Sequence, residues 1–396
     1  MKIFISNLQL LNIGGISTSL LNFINELKGD NDITLCILSN YISKDVTLPD
    51  GIKVVCGSDM LGDAIILRSL IKNISSMRKI RMFFLRALKK FFGLEFIFRI
   101  CLGKMKIHEN YDVAIAFSND LYSAKGDVVL GGDYYFILNC INARKKMAWI
   151  HNDAEKCGIT KKVALKSYRN FDSIVHVSQN NKSIFDRIVP EYKVKSVVIY
   201  NMYDIARIKE LSNEYSNPYN NNGKVHFVTV CRLYERQKKV SRILEAVKTL
   251  VATGYVNFDW KIVGDGDDRL YYEQMLKDYG LQNYLDFVGL KSNPYPYMKY
   301  ADAFVLTSLY EGFGMSNVES QILTTPALVT DYGAANEVVQ NNVNGIICDN
   351  SVDGVVSMIK AVLDKREILL KFRKYFIDNP VDNRVALKQF YMVATK

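Results

Sequence analysis

The sequence predicts an α/β protein built from two parallel-sheet, Rossmann-like domains in tandem. Three observations carry this. Short apolar runs alternate with amphipathic stretches along all 396 residues. Several runs are continuously apolar, as parallel strands covered on both faces must be. The alternation breaks at the polar, turn-rich SNEYSNPYNNNGK of residues 212–224 and then restarts. A chain of this length suggests two domains on size alone.

In the first half, strands are expected at KIFIS, DITLCIL, IKVVCG, DVAIAFS, KKMAWI, SIVHVS and SVVIY, with helices such as ISTSLLNFINEL and NKSIFDRIV between them. After the polar break, strands are expected at VHFVTVCRL, FDWKIVG, LDFVGL, DAFVLTS, PALVTD and GIICD, each followed by a helical pattern. The expected division is residues 1–201, residues 202–380, and a helix over 381–396 packing back on the first domain. Two such domains put a cleft where strand carboxyl ends point.

An apolar content of 49% and a charged content of 23% are those of a soluble globular protein. No stretch approaches the roughly 20 apolar residues of a spanning helix. The start, MKIFISNLQLLNIGG, reads as a first buried strand running into a glycine loop, and not as a signal peptide. Seven scattered cysteines without CxxC spacing read as reduced, buried thiols. The four histidines lack metal-ligand spacing.

Three stretches carry chemistry. In NIGGISTSLLNF, Gly14 and Gly15 turn a strand end into a helix near Ile16. Glycines admit a ligand close to the backbone, and a helix start offers unpaired N–H groups to an anion. In CRLYERQKK, Arg232 and Lys238 follow a strand, where cations can hold a departing diphosphate. In YEGFGMSNVES, Gly312 and Gly314 bend the chain, a helix starts near Ser316, and Glu311 and Glu319 stand on either side. Phosphate repels carboxylates, but sugar and ribose hydroxyls donate to them. Amides flanked by two carboxylates therefore suit a sugar–diphosphate–ribose ligand.

EGFGMSNVE resembles the E-x7-E signature of retaining glycosyltransferases of family GT4, which have the GT-B fold. GGISTSLLNF, AWIHND, IYNMYD, CRL…QK, FVGL…YADAFVLTS and PALVTDYGAANEVV…NGIIC resemble that family's other landmarks in order. The resemblance implies two Rossmann-like domains facing each other across a cleft. It implies that Glu319 binds donor ribose, and that Glu311 meets the transferred sugar. Amides of Gly314, Met315 and Ser316 would hold diphosphate and sugar, and Arg232 and Lys238 would pair with the diphosphate. His151 would lie near the sugar's outer hydroxyl, the Gly14–Gly15 loop would close over the phosphates, and the base would sit near Gly289, Leu290 and Lys291. The spacing from arginine to lysine is one residue longer than usual, so Lys239 competes with Lys238. No cofactor and no metal are implied, the nucleotide sugar being a substrate. The expected activity is transfer of a hexose or N-acetylhexosamine, from a UDP-sugar, to a lipid-linked or glycan acceptor in surface polysaccharide or glycolipid synthesis. A non-catalytic GT-B binding partner and a GT-B isomerase or phosphorylase are the alternatives.

The net charge of +10 is concentrated. Residues 72–106 hold ten cations, from Lys72 to Lys106, against Glu95 alone. At 100° per residue, Ile80, Phe84, Leu88, Phe91 and Phe92 fall on one side of a helix, and Arg78, Lys79, Arg86, Lys89 and Lys90 on the other. Such helices contact anionic lipid. The expected location is cytoplasmic, peripheral at the inner face of the membrane, with no nucleic-acid partner.

Overall fold

The computed structural model describes residues 1–10, 14–44, 46–65, 75–105, 107–118, 121–124 and 127–395. Lys72 and Lys106, which bound the basic segment, lie outside them, as do Asn12 and Ile13 ahead of the glycine pair. The chain divides into two compact units. Met1–Met202 with Arg384–Lys396 form the first, and Tyr203–Asn383 the second.

The first unit holds strands β1 (Lys2–Asn7), β2 (Asp32–Ile37), β3 (Lys53–Cys56), β4 (Ile107–Ala116), β5 (Leu121–Ala124), β6 (Asp127–Leu130), β7 (Ile141–Ile150), β8 (Ser173–His176) and β9 (Ser196–Val198). Seven of them form one sheet in the order β3-β2-β1-β4-β7-β8-β9. All its pairings are parallel, from Ile3 opposite Ile33 to Val175 opposite Val197. The apolar runs of central strands such as β1 and β8 are buried along almost their whole length, whereas edge strand β3 is largely exposed. Ile3, Phe4 and Ile5 of β1 are all fully buried. Each such side chain contributes roughly 1.5–3 kcal/mol on burial. The antiparallel pair β5–β6 was not anticipated by the strand reading above.

Helix α1 (Gly15–Leu27) follows β1 and starts one residue before the expected Ile16. Its Phe23 packs edge-on against Trp149 and Phe390, with ring centroids 5.3 and 5.2 Å apart. Phe390 belongs to the helix Arg384–Ala394, which returns to this unit after the whole of the second. Lys145 Nζ donates to its Val393 carbonyl at 2.5 Å, and Gln389 accepts from the Tyr200 amide at 3.0 Å. The basic segment forms α3 (Ser76–Phe92) and α4 (Leu94–Leu102), beside α2 (Asp59–Ile65). Gly93, at φ +84°, turns the chain between α3 and α4.

The second unit holds β10 (Val225–Val230), β11 (Phe258–Val263), β12 (Leu285–Gly289), β13 (Ala303–Leu306), β14 (Ala327–Thr330) and β15 (Gly345–Cys348). Their order is β12-β11-β10-β13-β14-β15, again all parallel. This is the doubly wound arrangement, in which strand order reverses between the first and fourth strands. Here the reversal lies between β10 and β13. Loops leaving the carboxyl ends of two such neighbours diverge to opposite faces and leave a crevice between them. At the boundary, buried Asn383 donates to the Tyr203 carbonyl at 2.8 Å and accepts from its amide at 3.0 Å.

Candidate active site

Arg232 and Lys238 follow β10, and Glu311 follows β13, so both loops leave the sheet at its switch point. Backbone and side-chain bonds stitch the loops together. The Leu309 amide donates to the Gln237 carbonyl at 2.7 Å. Thr307 Oγ1 donates to the carbonyls of Lys238 and Lys239 at 3.2 and 3.1 Å.

Glu311 is buried in the centre of this arrangement. Its Oε1 accepts from Lys238 Nζ and from Ser308 Oγ, each at 2.5 Å. Burial alone would lower the Lys238 pKa, but the Glu311 carboxylate outweighs it and holds the ammonium above its usual value. Arg232 pulls the other way, so its guanidinium acts on the same pocket. That guanidinium is exposed and lies 4.7 Å over the Tyr234 ring. Lys239 is turned away. It sits in left-handed backbone at φ +50°, and its ammonium meets Glu235 at 3.2 Å. Of the two lysines that competed in the sequence, Lys238 is the one beside Glu311.

Gly314 caps the helix Met315–Ile322 in left-handed backbone, φ +84°. A Cβ there would stand 2.6 Å from Tyr332 Oη, so the bend admits only glycine. The helix begins one residue before the expected Ser316, and Glu319 falls on its second turn. Asn317 and Val318 amides already donate to the Gly314 carbonyl. Those of Met315 and Ser316 have no carbonyl four residues back within the helix, and they carry its positive dipole end.

Glu319 is 8% exposed, and its carboxylate makes no hydrogen bond among the described residues. Burial raises its pKa from 4.5 to about 7. Tyr203 and Tyr295 stand close enough to feel its charge. Burial first, and then Glu319, pushes both phenols upward. Tyr203 Oη is itself buried without a partner. Unsatisfied buried groups of this kind are rare and call for an explanation.

Two strands from β10, Gly289 ends β12 at φ +82°, with the Arg269 guanidinium 3.3 Å from where its Cβ would be. Leu290 and Lys291 beyond it are exposed. Gly14, Gly15 and His151 belong to the first unit. Gly14 caps α1 in extended backbone, φ −119°. A Cβ on either glycine meets nothing within 4 Å among the described residues, so packing does not demand glycine there. His151 follows β7, and its Nε2 lies 2.7 Å from the Phe117 carbonyl. A carbonyl only accepts, so Nε2 carries the proton and Nδ1 is left as the acceptor. Burial lowers its pKa to about 4, which keeps the ring neutral at pH 7.

The structure thus gathers Arg232, Lys238 and Glu311 on adjoining segments after β10 and β13, with Gly314–Ser316 at the start of the helix that follows and Glu319 one turn into it. Sequence reasoning missed Ser308 on Glu311, Tyr332 beneath Gly314, and Tyr203 beside Glu319. Only Ser308 left a signal, as a hydroxyl at a strand end three residues before the glutamate. Among the described residues, no three His, Cys, Asp or Glu side chains are grouped to hold a metal.

Residues 212–379 match the family model described as glycosyl transferases group 1. An uncharacterized glycosyltransferase of Methanocaldococcus jannaschii is 30% identical over 205 residues, covering 49% of this chain and 50% of the relative. The UDP-Gal:alpha-D-GlcNAc-diphosphoundecaprenol alpha-1,3-galactosyltransferase of Escherichia coli is 29% identical over 145 residues, 35% of this chain and 37% of that one. The chain spans about half the length of the first curated relatives it matches. The crystal structure of Anabaena HepE in complex with UDP and glucose matches with a TM-score of 0.67 at 15% identity, covering 100% of both chains. The fold is that of GT-B glycosyltransferases, with two parallel-sheet α/β domains.

Proposed function

We propose that this chain, whose residues 212–379 match the family model of glycosyl transferases group 1, is a retaining, metal-independent glycosyltransferase using a UDP-sugar. It moves a hexose or N-acetylhexosamine to a lipid-linked or glycan acceptor in surface polysaccharide or glycolipid synthesis, working from the cytoplasm. One observation carries the reading. Glu319 is a buried residue whose carboxylate has no hydrogen bond among the described residues, one turn into a helix whose first amides, at Met315 and Ser316, follow shortly after Glu311, the partner of Lys238. A ribose diol supplies the two donors Glu319 lacks, and the attached diphosphate supplies the negative charge the amides lack. HepE was solved with UDP and glucose, and the Escherichia coli relative is named for a UDP-Gal donor and a diphosphoundecaprenol-linked acceptor.

The chemistry follows from charge. Breaking the sugar–phosphate bond leaves positive charge on the sugar ring and negative charge on UDP. Arg232, Lys238 and the amides of Met315 and Ser316 stabilise the leaving diphosphate, each fixed before the reaction begins. Glu311 accepts from sugar hydroxyls, oriented by Ser308 and Lys238. The acceptor hydroxyl attacks from the face the phosphate leaves, and a phosphate oxygen takes its proton, so configuration is retained. Gly14, Gly15 and neutral His151 serve the phosphates and the outer sugar hydroxyl, and Gly289, Leu290 and Lys291 the base.

The test is donor binding and hydrolysis by the purified chain. UDP or a UDP-sugar should raise the melting temperature with chelator present, and slow hydrolysis should disappear in Glu311→Gln. Stabilisation by NAD and not by any nucleotide sugar would overturn the assignment.

A further inference from the structure

The basic segment is turned inside out relative to an ordinary surface helix. α3 buries only Met82 and Leu85, and it points Met77, Ile80, Phe83, Phe84, Phe91 and Phe92 outward, each between 61% and 83% exposed. Monomeric proteins rarely leave so contiguous an apolar patch in water.

The rotation of α3 has a cause. Asp63 of α2 is fully buried and faces the inner edge of the helix. Arg78 Nε donates to its Oδ1 and Arg81 Nε to its Oδ2, both at 2.7 Å. Arg86 Nε donates to its carbonyl at 3.3 Å. These tethers hold the arginine-bearing edge against the protein, so the aromatic stripe must face outward. Lys79 and Lys90 remain exposed along its border. α3 carries six cations and no carboxylate.

We propose that α3 is an interfacial anchor that lies in the surface of an anionic lipid bilayer. Its phenylalanines enter the acyl boundary and its flanking lysines meet lipid phosphates. An apolar face bordered by cations fits a headgroup layer over hydrocarbon. Among the described residues no helix is long and apolar enough to cross a membrane, so contact through this helix is contact with one leaflet. A second copy of the chain fits less well, because a two-fold contact sets the same cationic border against itself. Nucleic acid would pair the lysines and leave the aromatics wet.

The test is sedimentation of the full chain with vesicles. Vesicles of phosphatidylglycerol and phosphatidylcholine should carry it down at low salt, and pure phosphatidylcholine should bind at least tenfold more weakly. Phe83→Ser with Phe84→Ser should abolish sedimentation without changing donor hydrolysis, which separates this proposal from the catalytic one. Lys79→Glu with Lys90→Glu should weaken binding and flatten its salt dependence. The emission of a Phe83→Trp variant should shift to the blue on anionic vesicles. Failure of the native chain to sediment at low salt, or unchanged binding by the double serine variant, would overturn the anchor. So would a concentration-dependent dimer that the serine variant disrupts.

Discussion

Lys238 reaches across from the loop after β10 to the loop after β13 and donates to Glu311 at 2.5 Å. Both side chains are largely buried, at 16% and 8% exposure. A buried pair is weak evidence for stability as a whole, but removing one member strands the other charge, typically costing about 3–5 kcal/mol. Lys238→Met should therefore lose on the order of 3 kcal/mol in urea denaturation. Lys238→Met with Glu311→Met should recover most of that loss while remaining inactive. A single variant as stable as the parent would show that the pair does not hold the two loops together.

Glu319 should make the stability of ligand-free protein fall as pH rises. Its folded pKa, about 7, lies above the 4.5 of a free glutamate, so its contribution is complete below pH 4.5 and is lost as pH climbs through 7. The loss is of order 3 kcal/mol. Glu319→Gln should abolish this slope, and UDP should reduce it in the parent by supplying hydrogen-bond donors to the charged form. Thermal melts at half-unit pH steps read both effects. A slope that persists in the glutamine variant would contradict the role of burial.

His151 acts in the opposite direction. Its folded pKa, about 4, lies below that of free histidine, so its contribution is complete above pH 6.5 and is lost as pH falls through 4. Between these limits the two groups oppose each other, and Glu319→Gln should expose the acid-side loss. Nitrogen-15 NMR should find His151 neutral at pH 6, with its proton on Nε2. A protonated ring at that pH would refute the assignment.

Two glycines should respond differently to alanine. Gly314→Ala meets Tyr332 Oη at 2.6 Å in left-handed backbone, and should cost roughly 1–3 kcal/mol and abolish donor binding. Gly15→Ala has open space and stands in a helix, so stability should hold or rise by about 0.5 kcal/mol. If the loop serves the donor, the Gly15→Ala Kd for UDP-sugar rises while its melting temperature does not drop. Unaltered donor affinity would remove that loop from the site.

Much of the fold was legible because parallel strands covered on both faces must be apolar throughout, as Ile3–Ile5 and Ala303–Leu306 are. β5 and β6 escaped notice because LYSA and DVVL are four-residue strands paired only with each other. The glutamates and Arg232 stood out as charged residues after apolar runs. The choice between Lys238 and Lys239 was invisible, since it depends on the left-handed turn at Lys239 and on pairing with a loop 73 residues away. Periodicity divided α3 into two faces but could not say which one meets the protein. Asp63, 15 residues before Arg78, decides that.

The helix Arg384–Ala394 completes a unit that the chain began at Met1. During synthesis, the first sheet therefore emerges from the ribosome long before the helix that covers Phe23 and Lys145. The second unit can close as an insertion while the first waits unfinished, its aromatic surface open to chaperones until the final turn of the helix is made.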